Sequence, residues 1–74
     1  MNENKKTILK ALFDLLKECE EYKNLKAITY DAENDRAVIK IADDTKTHWC
    51  SLKNTYDMDI VKTVTDFIKA LLND

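Results

Sequence analysis

Two segments in the middle of the chain alternate apolar and polar side chains, and this alternation limits the fold more than any other feature. In residues 26–32, Ile28 and Tyr30 fall on one side of an extended chain, whereas Thr29 and Asp31 fall on the other. A period of two is typical of a strand with one buried face. We therefore predict a strand here, with Ile28 and Tyr30 turned towards the core.

The second segment, residues 36–42, repeats the pattern. Its apolar side holds Ala37, Ile39 and Ile41, and its other side holds Arg36, Val38 and Lys40. An even-numbered hairpin loop, here the two residues Glu33-Asn34, joins the apolar sides of the two strands. It pairs Tyr30 with Ala37 and Ile28 with Ile39.

A third strand is predicted over residues 46–52, and either of its sides could face the core. One side holds Thr47, Trp49 and Ser51, and the other holds His48, Cys50 and Leu52. A two-residue turn at Asp43-Asp44 places Trp49 opposite Val38 on the outer side of the sheet, whereas a three-residue loop that includes Thr45 places it opposite Ile39 in the core. We favour the two-residue turn, because His48, Cys50 and Leu52 then lie on the core side of the sheet.

Helical spacing of apolar residues flanks the three strands. The first helix is predicted over residues 4–23, with an apolar stripe of Ile8, Leu12, Leu15, Cys19 and Tyr22, and the second over residues 56–72, with a line of Ile60, Val64, Phe67 and Leu71 beside Val61, Ile68 and Leu72. The predicted fold is α+β: a single domain over residues 1–74, in the order α-β-β-β-α. It is a two-layer sandwich in which a three-stranded antiparallel meander carries both helices on one face.

The small size of the chain and the open sheet face predict self-association. A chain of 74 residues buries only about 60% of the surface that it exposes when unfolded. Two helices on one face leave the other face and two strand edges uncovered. We predict a homodimer, formed through the open face or by pairing of strand edges.

Composition excludes several classes of partner and site. The net charge of −2 gives no general attraction to nucleic acid or to an anionic membrane. Two cysteines, Cys19 and Cys50, are too few for a secreted disulfide scaffold, and no apolar run is long enough for a transmembrane helix or typical of a signal peptide. These features indicate a cytoplasmic protein that does not bind a membrane.

The residues that could carry chemistry are few. His48 and Cys50 lie on one side of the third strand, and Cys19 on the predicted apolar stripe could approach them, but a structural zinc site usually has four ligands in close sequence pairs. The acids Asp43 and Asp44 lack the spacing of a calcium loop. We predict no metal, no cofactor and no catalytic residues, and therefore a protein that is not an enzyme.

The outer side of the sheet holds the candidate site residues. They are Trp49, Val38, Lys40, Arg36 and Thr47. Tryptophan and arginine are enriched at the centres of protein interfaces, which favours a dimer contact centred on Trp49. An aromatic ring near two cations is also how a nucleotide or another small ligand is held on an open sheet, and this is the alternative interpretation.

The C-terminal half of the chain resembles small uncharacterised proteins carried by phages and mobile elements of Gram-positive bacteria. The resemblance lies in the polar turn and strand Asp43-Asp44-Thr45-Lys46-Thr47, in Asn54-Thr55-Tyr56-Asp57 and in the terminal helix from Ile60 to Leu71. It implies an accessory protein without known catalytic residues, such as a factor that contacts a host protein or counters host defence.

Overall fold

The core of the fold is a three-stranded antiparallel sheet, as the alternating pattern predicts. A computed structural model describes residues 3–73 of the chain. Its strands are β1 (Leu25–Asp31), β2 (Arg36–Ile41) and β3 (His48–Ser51), and they lie in the order β1-β2-β3. The predicted α+β fold and meander are confirmed.

The register between β1 and β2 agrees with the prediction, but the connection between the strands is longer. Ile28 pairs with Ile39 and Tyr30 pairs with Ala37. The last pair of the ladder is Asp31 with Arg36, so four residues connect the strands rather than two. The number is still even, and the apolar sides of both strands therefore face the same way.

A β-bulge near the start of β1 adds a residue to the core that the alternation does not reveal. Leu25 pairs with Ile41 and Ala27 pairs with Lys40, so the pairing shifts by one residue at Lys26. An extra residue in one strand reverses the side to which the preceding side chains point. Leu25 is therefore buried on the same face as Ile28.

The register between β2 and β3 settles the position of Trp49. Val38 pairs with Trp49 and Ile39 pairs with His48, as the favoured prediction requires. The predicted two-residue turn is wrong, because six residues, 42–47, connect the strands. Asp43 has a φ of 64° in a turn in which the Asp44 amide donates to the Ile41 carbonyl. Aspartate tolerates this left-handed backbone, which suits a chain without glycine.

The first helix is shorter than predicted. Helix α1 spans Glu3–Leu16, and a separate turn of 3-10 helix, Glu20–Tyr22, follows it. The buried positions of α1 are Leu9, Leu12 and Leu16, and a continued helix would place Glu20 and Lys23 on this line. The predicted stripe through Leu15 and Cys19 is wrong, since both side chains are exposed.

Helix α2 spans Asp57–Leu72 and completes the layer beneath the sheet. Ile60, Val64 and Ile68 are fully buried, whereas Val61, which was predicted to lie beside this line in the core, is half exposed. The core contains residues of both helices, the inner face of the sheet and Leu52. Its buried members are Leu9, Leu12, Leu16, Tyr22, Leu25, Ile28, Ala37, Ile39, Leu52, Ile60, Val64 and Ile68.

A polar cluster around Asp35 connects the start of α1 to the hairpin between β1 and β2 and to Leu52, the residue after β3. The Lys5 ammonium donates to the two carboxylate oxygens of Asp35 at 2.9 and 3.1 Å, and to the carbonyl of Leu52 at 3.2 Å. The Tyr30 hydroxyl donates to Asp35 Oδ1 at 2.6 Å. The Leu52 amide donates to the Asp35 carbonyl. The backbone of Asp35 has a φ of 50°. Hydrogen bonds to a charged group are stronger than neutral ones, so this cluster fixes the helix relative to the sheet.

The same substitution at two positions of α1 should have different effects on stability. Leu12 is 5% exposed and Leu15 is 70% exposed. We expect Leu12→Ala to lower the free energy of unfolding by about 2–5 kcal/mol, because it leaves a cavity in the core. Leu15→Ala should change it by less than about 0.5 kcal/mol. Urea denaturation measures both values. Equal losses at the two positions would contradict the structure, in which Leu12 faces the core and Leu15 faces solvent.

The Asp35 cluster predicts an unusual tyrosine titration. Burial, followed by the hydrogen bond to Asp35, raises the pKa of Tyr30 to about 12 from its ordinary value of 10.0. A raised pKa in the folded state contributes stability below pH 10 that is lost as the pH rises towards 12. Absorbance of tyrosinate should show a step near pH 12 that is absent from Tyr30→Phe. A Tyr30 midpoint near 10 would contradict both the burial of the hydroxyl and its hydrogen bond to Asp35.

Candidate functional site

The outer face of the sheet, defined here by Arg36, Val38 and Trp49, is the open surface of the fold. These side chains alternate with the core residues of β2 and β3, so they point away from both helices. Trp49 is 51% exposed. Val38, directly opposite Trp49 in the ladder, is half-buried. A large aromatic side chain therefore stands on a sheet face that neither helix covers.

Arg36 of β2 contacts both Trp49 of β3 and Asp31 of β1. Its guanidinium carbon lies 4.6 Å from the centre of the Trp49 ring, which is within the range of a cation–π interaction. On the other side, Arg36 Nε donates to Asp31 Oδ2 at 3.0 Å. The guanidinium thus bridges β1 and β3 across β2.

The hairpin between β1 and β2 holds Asp31 in place. Asp31 Oδ1 accepts hydrogen bonds from the backbone amides of Glu33 and Asn34, and Asp31 Oδ2 accepts one from the Asn34 side chain at 2.9 Å. The hydrogen bonds from Asn34, followed by the hydrogen bond and the charge of Arg36, lower the pKa of Asp31. The carboxylate is therefore charged at neutral pH and orients the guanidinium over the ring.

This arrangement suits a protein contact better than a stacked ligand. Arg36 already covers part of the indole, and its charge is balanced by Asp31. A nucleotide would have to displace the guanidinium in order to stack on that side of the ring. A flat partner surface could instead pack on the exposed part of Trp49 while the Arg36–Asp31 pair stays intact.

Lys40 and Thr47 lie apart from this group, although the sequence places them on the same outer side. Together with Lys26, Lys46 and Asp44, they line a cavity of about 330 Å³ at the connection between β2 and β3. Trp49 does not line this cavity. The structure therefore brings Arg36, Val38 and Trp49 together and places the other two candidate residues at the end of the sheet.

The histidine and the two cysteines do not form a common site. His48 bonds to Asp44 at 2.9 Å, Cys50 is half-buried, and burial raises the pKa of its thiol. Cys19, predicted on a buried stripe, is exposed in the turn after α1. Within residues 3–73, no three histidine, cysteine, aspartate or glutamate side chains come close enough together to hold a metal ion.

Two features of the surface were missed at the level of sequence. One is the role of Asp31 as the partner of Arg36, which follows from their pairing across the hairpin. The other is a group of exposed apolar residues at the start of α2, namely Tyr56, Met58 and Val61. Met58 and Val61 are three residues apart and both lie off the buried line of Ile60, Val64 and Ile68, which is the signal that could have revealed them.

None of the helices in residues 3–73 combines the length and the apolar character that a membrane span requires.

Comparison of the chain with protein-family models, with curated proteins and with solved structures finds no match in any of the three.

Proposed function

We propose that the protein is a non-enzymatic interaction module that forms a homodimer through the outer face of its sheet. The observation that carries this proposal is the half-exposed Trp49 with Arg36 over its ring, on a sheet face that no helix covers. Tryptophan and arginine are the residue types that most often dominate the binding energy of interfaces. In the dimer, the two copies bring their Trp49 side chains together.

The surface area of the chain supports self-association. The accessible surface is 5386 Å², whereas a compact monomer of 8.6 kDa exposes roughly 4,700 Å² by the usual scaling with mass. Trp49, which is 51% exposed, contributes to this accessible surface. Packing of two sheet faces would bury Trp49 and Val38 at the same time.

The proposed cellular setting rests on other observations. Cys19 and Cys50 are both free thiols, which suits a reducing cytoplasm. We also propose an accessory role in which the dimer contacts a host protein, which is what the resemblance of the C-terminal half to proteins of phages and mobile elements implies. Under this proposal, the dimer is the form that meets the host partner.

Replacement of Trp49 should dissociate the dimer. Native mass spectrometry of the untagged protein should give twice the chain mass of 8.6 kDa. Loss of a central tryptophan typically costs an interface about 2 kcal/mol or more, which is roughly a thirtyfold increase in the dissociation constant. We therefore expect Trp49→Ala to be a monomer with an unchanged circular dichroism spectrum.

Met58→Ala is the matched control for this experiment. Met58 is 85% exposed and lies on α2, away from the outer face. The control variant should remain a dimer. A wild-type monomer, or a dimer that survives Trp49→Ala but not Met58→Ala, would contradict the proposed interface. A stoichiometric added mass of a nucleotide would instead support the ligand-binding alternative.

A change of Arg36 tests whether its planar group contributes to the contact. Arg36→Lys keeps the positive charge near Asp31 but removes the flat guanidinium from the Trp49 ring. We expect the dimer dissociation constant to rise about fivefold, corresponding to about 1 kcal/mol. Sedimentation equilibrium measures this constant. An unchanged value would show that Arg36 only supplies charge.

A further inference from the structure

A groove runs between α1 and β1, away from the outer face. Its first part is a cavity of about 260 Å³, and its second part, of about 250 Å³, continues towards the hairpin at Ala32. The first part is lined by Lys6, Lys10 and Phe13 of α1 and by Ile28, Thr29 and Tyr30 of β1. Lys6 and Tyr30 line both parts, and Glu3 of α1 also lines the second part.

The lining of the groove shows that it opens onto the edge of β1. Successive side chains of a strand point to opposite faces, so a cavity on one face touches alternate residues. This groove touches three consecutive residues, from Ile28 to Tyr30. Within residues 3–73, β1 pairs with β2 alone. The groove therefore lies along the free edge, where unpaired backbone groups can accept a further strand.

The charge of the groove indicates the chemistry of its occupant. Lys6 and Lys10 are one helical turn apart on its rim, and neither forms an ion pair within the part of the chain that the structure describes. The apolar side chains of Phe13 on α1 and Ile28 on β1 line the same cavity as the two lysines. The two lysines outnumber the one carboxylate of the lining, that of Glu3 in the second part. Two unpaired cations beside an apolar floor suit a segment that alternates carboxylates with apolar residues.

A second copy of the chain fits this edge poorly. Pairing of two β1 strands would bring a second Lys6 and Lys10 alongside the first pair, and like charges close together are destabilising. Asp31 of β1 already pairs with Arg36. The groove lining of each copy therefore offers one carboxylate, that of Glu3, against two lysines. An acidic partner of different sequence has neither disadvantage.

One wall of the groove is fixed before a partner arrives. The Tyr30 hydroxyl donates to Asp35, which also binds Lys5. The tyrosine ring therefore loses little freedom on binding, and a rigid site costs less to order. The edge from Ile28 to Ala32 spans roughly 13 Å of extended chain, which is long enough to pair with about four residues of a partner.

We propose that the groove between α1 and the free edge of β1 binds an extended acidic segment of a partner protein as a fourth strand. The carboxylates of the segment contact Lys6 and Lys10, and its alternate apolar side chains pack on Phe13 and Ile28. The site is separate from the residues that define the outer face, because Arg36, Val38 and Trp49 do not line it. Thr29, which pairs with Val38, is its one lining residue on the outer side of the sheet.

Fluorescence anisotropy with defined peptides tests this proposal. The probe is a labelled octapeptide of alternating glutamate and valine, and its counterpart has lysine in place of glutamate. We expect the glutamate peptide to bind at least about tenfold more tightly, in both the wild-type protein and Trp49→Ala. Lys6→Glu with Lys10→Glu should weaken this binding at least about tenfold. Equal affinity for the two peptides would overturn the proposal.

A matched charge reversal separates the groove from the overall charge. Lys46→Glu with Lys69→Glu changes the net charge by the same amount and should change the affinity by less than about twofold. Like Lys6 and Lys10, these two lysines form no ion pair in the part of the chain that the structure describes, and they do not line the groove. An equal loss with both pairs of substitutions would show attraction to the whole surface and not to the groove.

Methylation of the peptide backbone tests the strand pairing itself. The glutamate peptide is N-methylated at alternate residues, in both possible phases, so that each version lacks the donors of one edge. At least one phase should lose binding. Full binding in both phases, or conversion of the dimer into monomers by the parent peptide, would overturn the addition of a partner strand at this edge.

Discussion

Burial of one face of the sheet is the constraint on which the rest of this structure depends. Ala37 and Ile39 of β2 are fully buried, and every other buried residue belongs to the same cluster. Both helices therefore pack where the apolar side chains are, and the alternate residues of the same strands are left without a cover. The exposure of Trp49 and the burial of Ile39 are consequences of the same strand register.

Asp35 connects this architecture to both proposed surfaces. Its carboxylate binds Lys5 of α1 and Tyr30 of β1, and its backbone accepts the amide of Leu52. The next residue, Arg36, projects onto the outer face and lies over Trp49. One left-handed residue in the hairpin thus fixes the wall of the groove on one side and the start of the outer face on the other. The bonds from Tyr30 and then Lys5 lower the pKa of Asp35, which keeps the cluster charged at neutral pH.

The sequence predicted the features that depend on parity. The strand pairings and the outer position of Trp49 follow from a side-chain period of two, even though both loops are longer than expected. The features that depend on packing could not be read in the same way. Leu15 continues a helical apolar pattern but faces solvent, because α1 packs on the core through Leu9, Leu12 and Leu16. The Lys5–Asp35 pair joins residues 30 positions apart, and no local pattern indicates it.

The most direct test of the central claim is an isotope-filtered nuclear Overhauser experiment on a mixture of labelled and unlabelled chains. Such an experiment detects contacts between copies and excludes those within one chain. A dimer formed through the outer face should show contacts between the Trp49 indole of one copy and the Val38 or Trp49 side chain of the other. Contacts between copies that involve Met58 and Val61 of α2 instead, or none at all, would contradict a dimer formed through the outer face of the sheet.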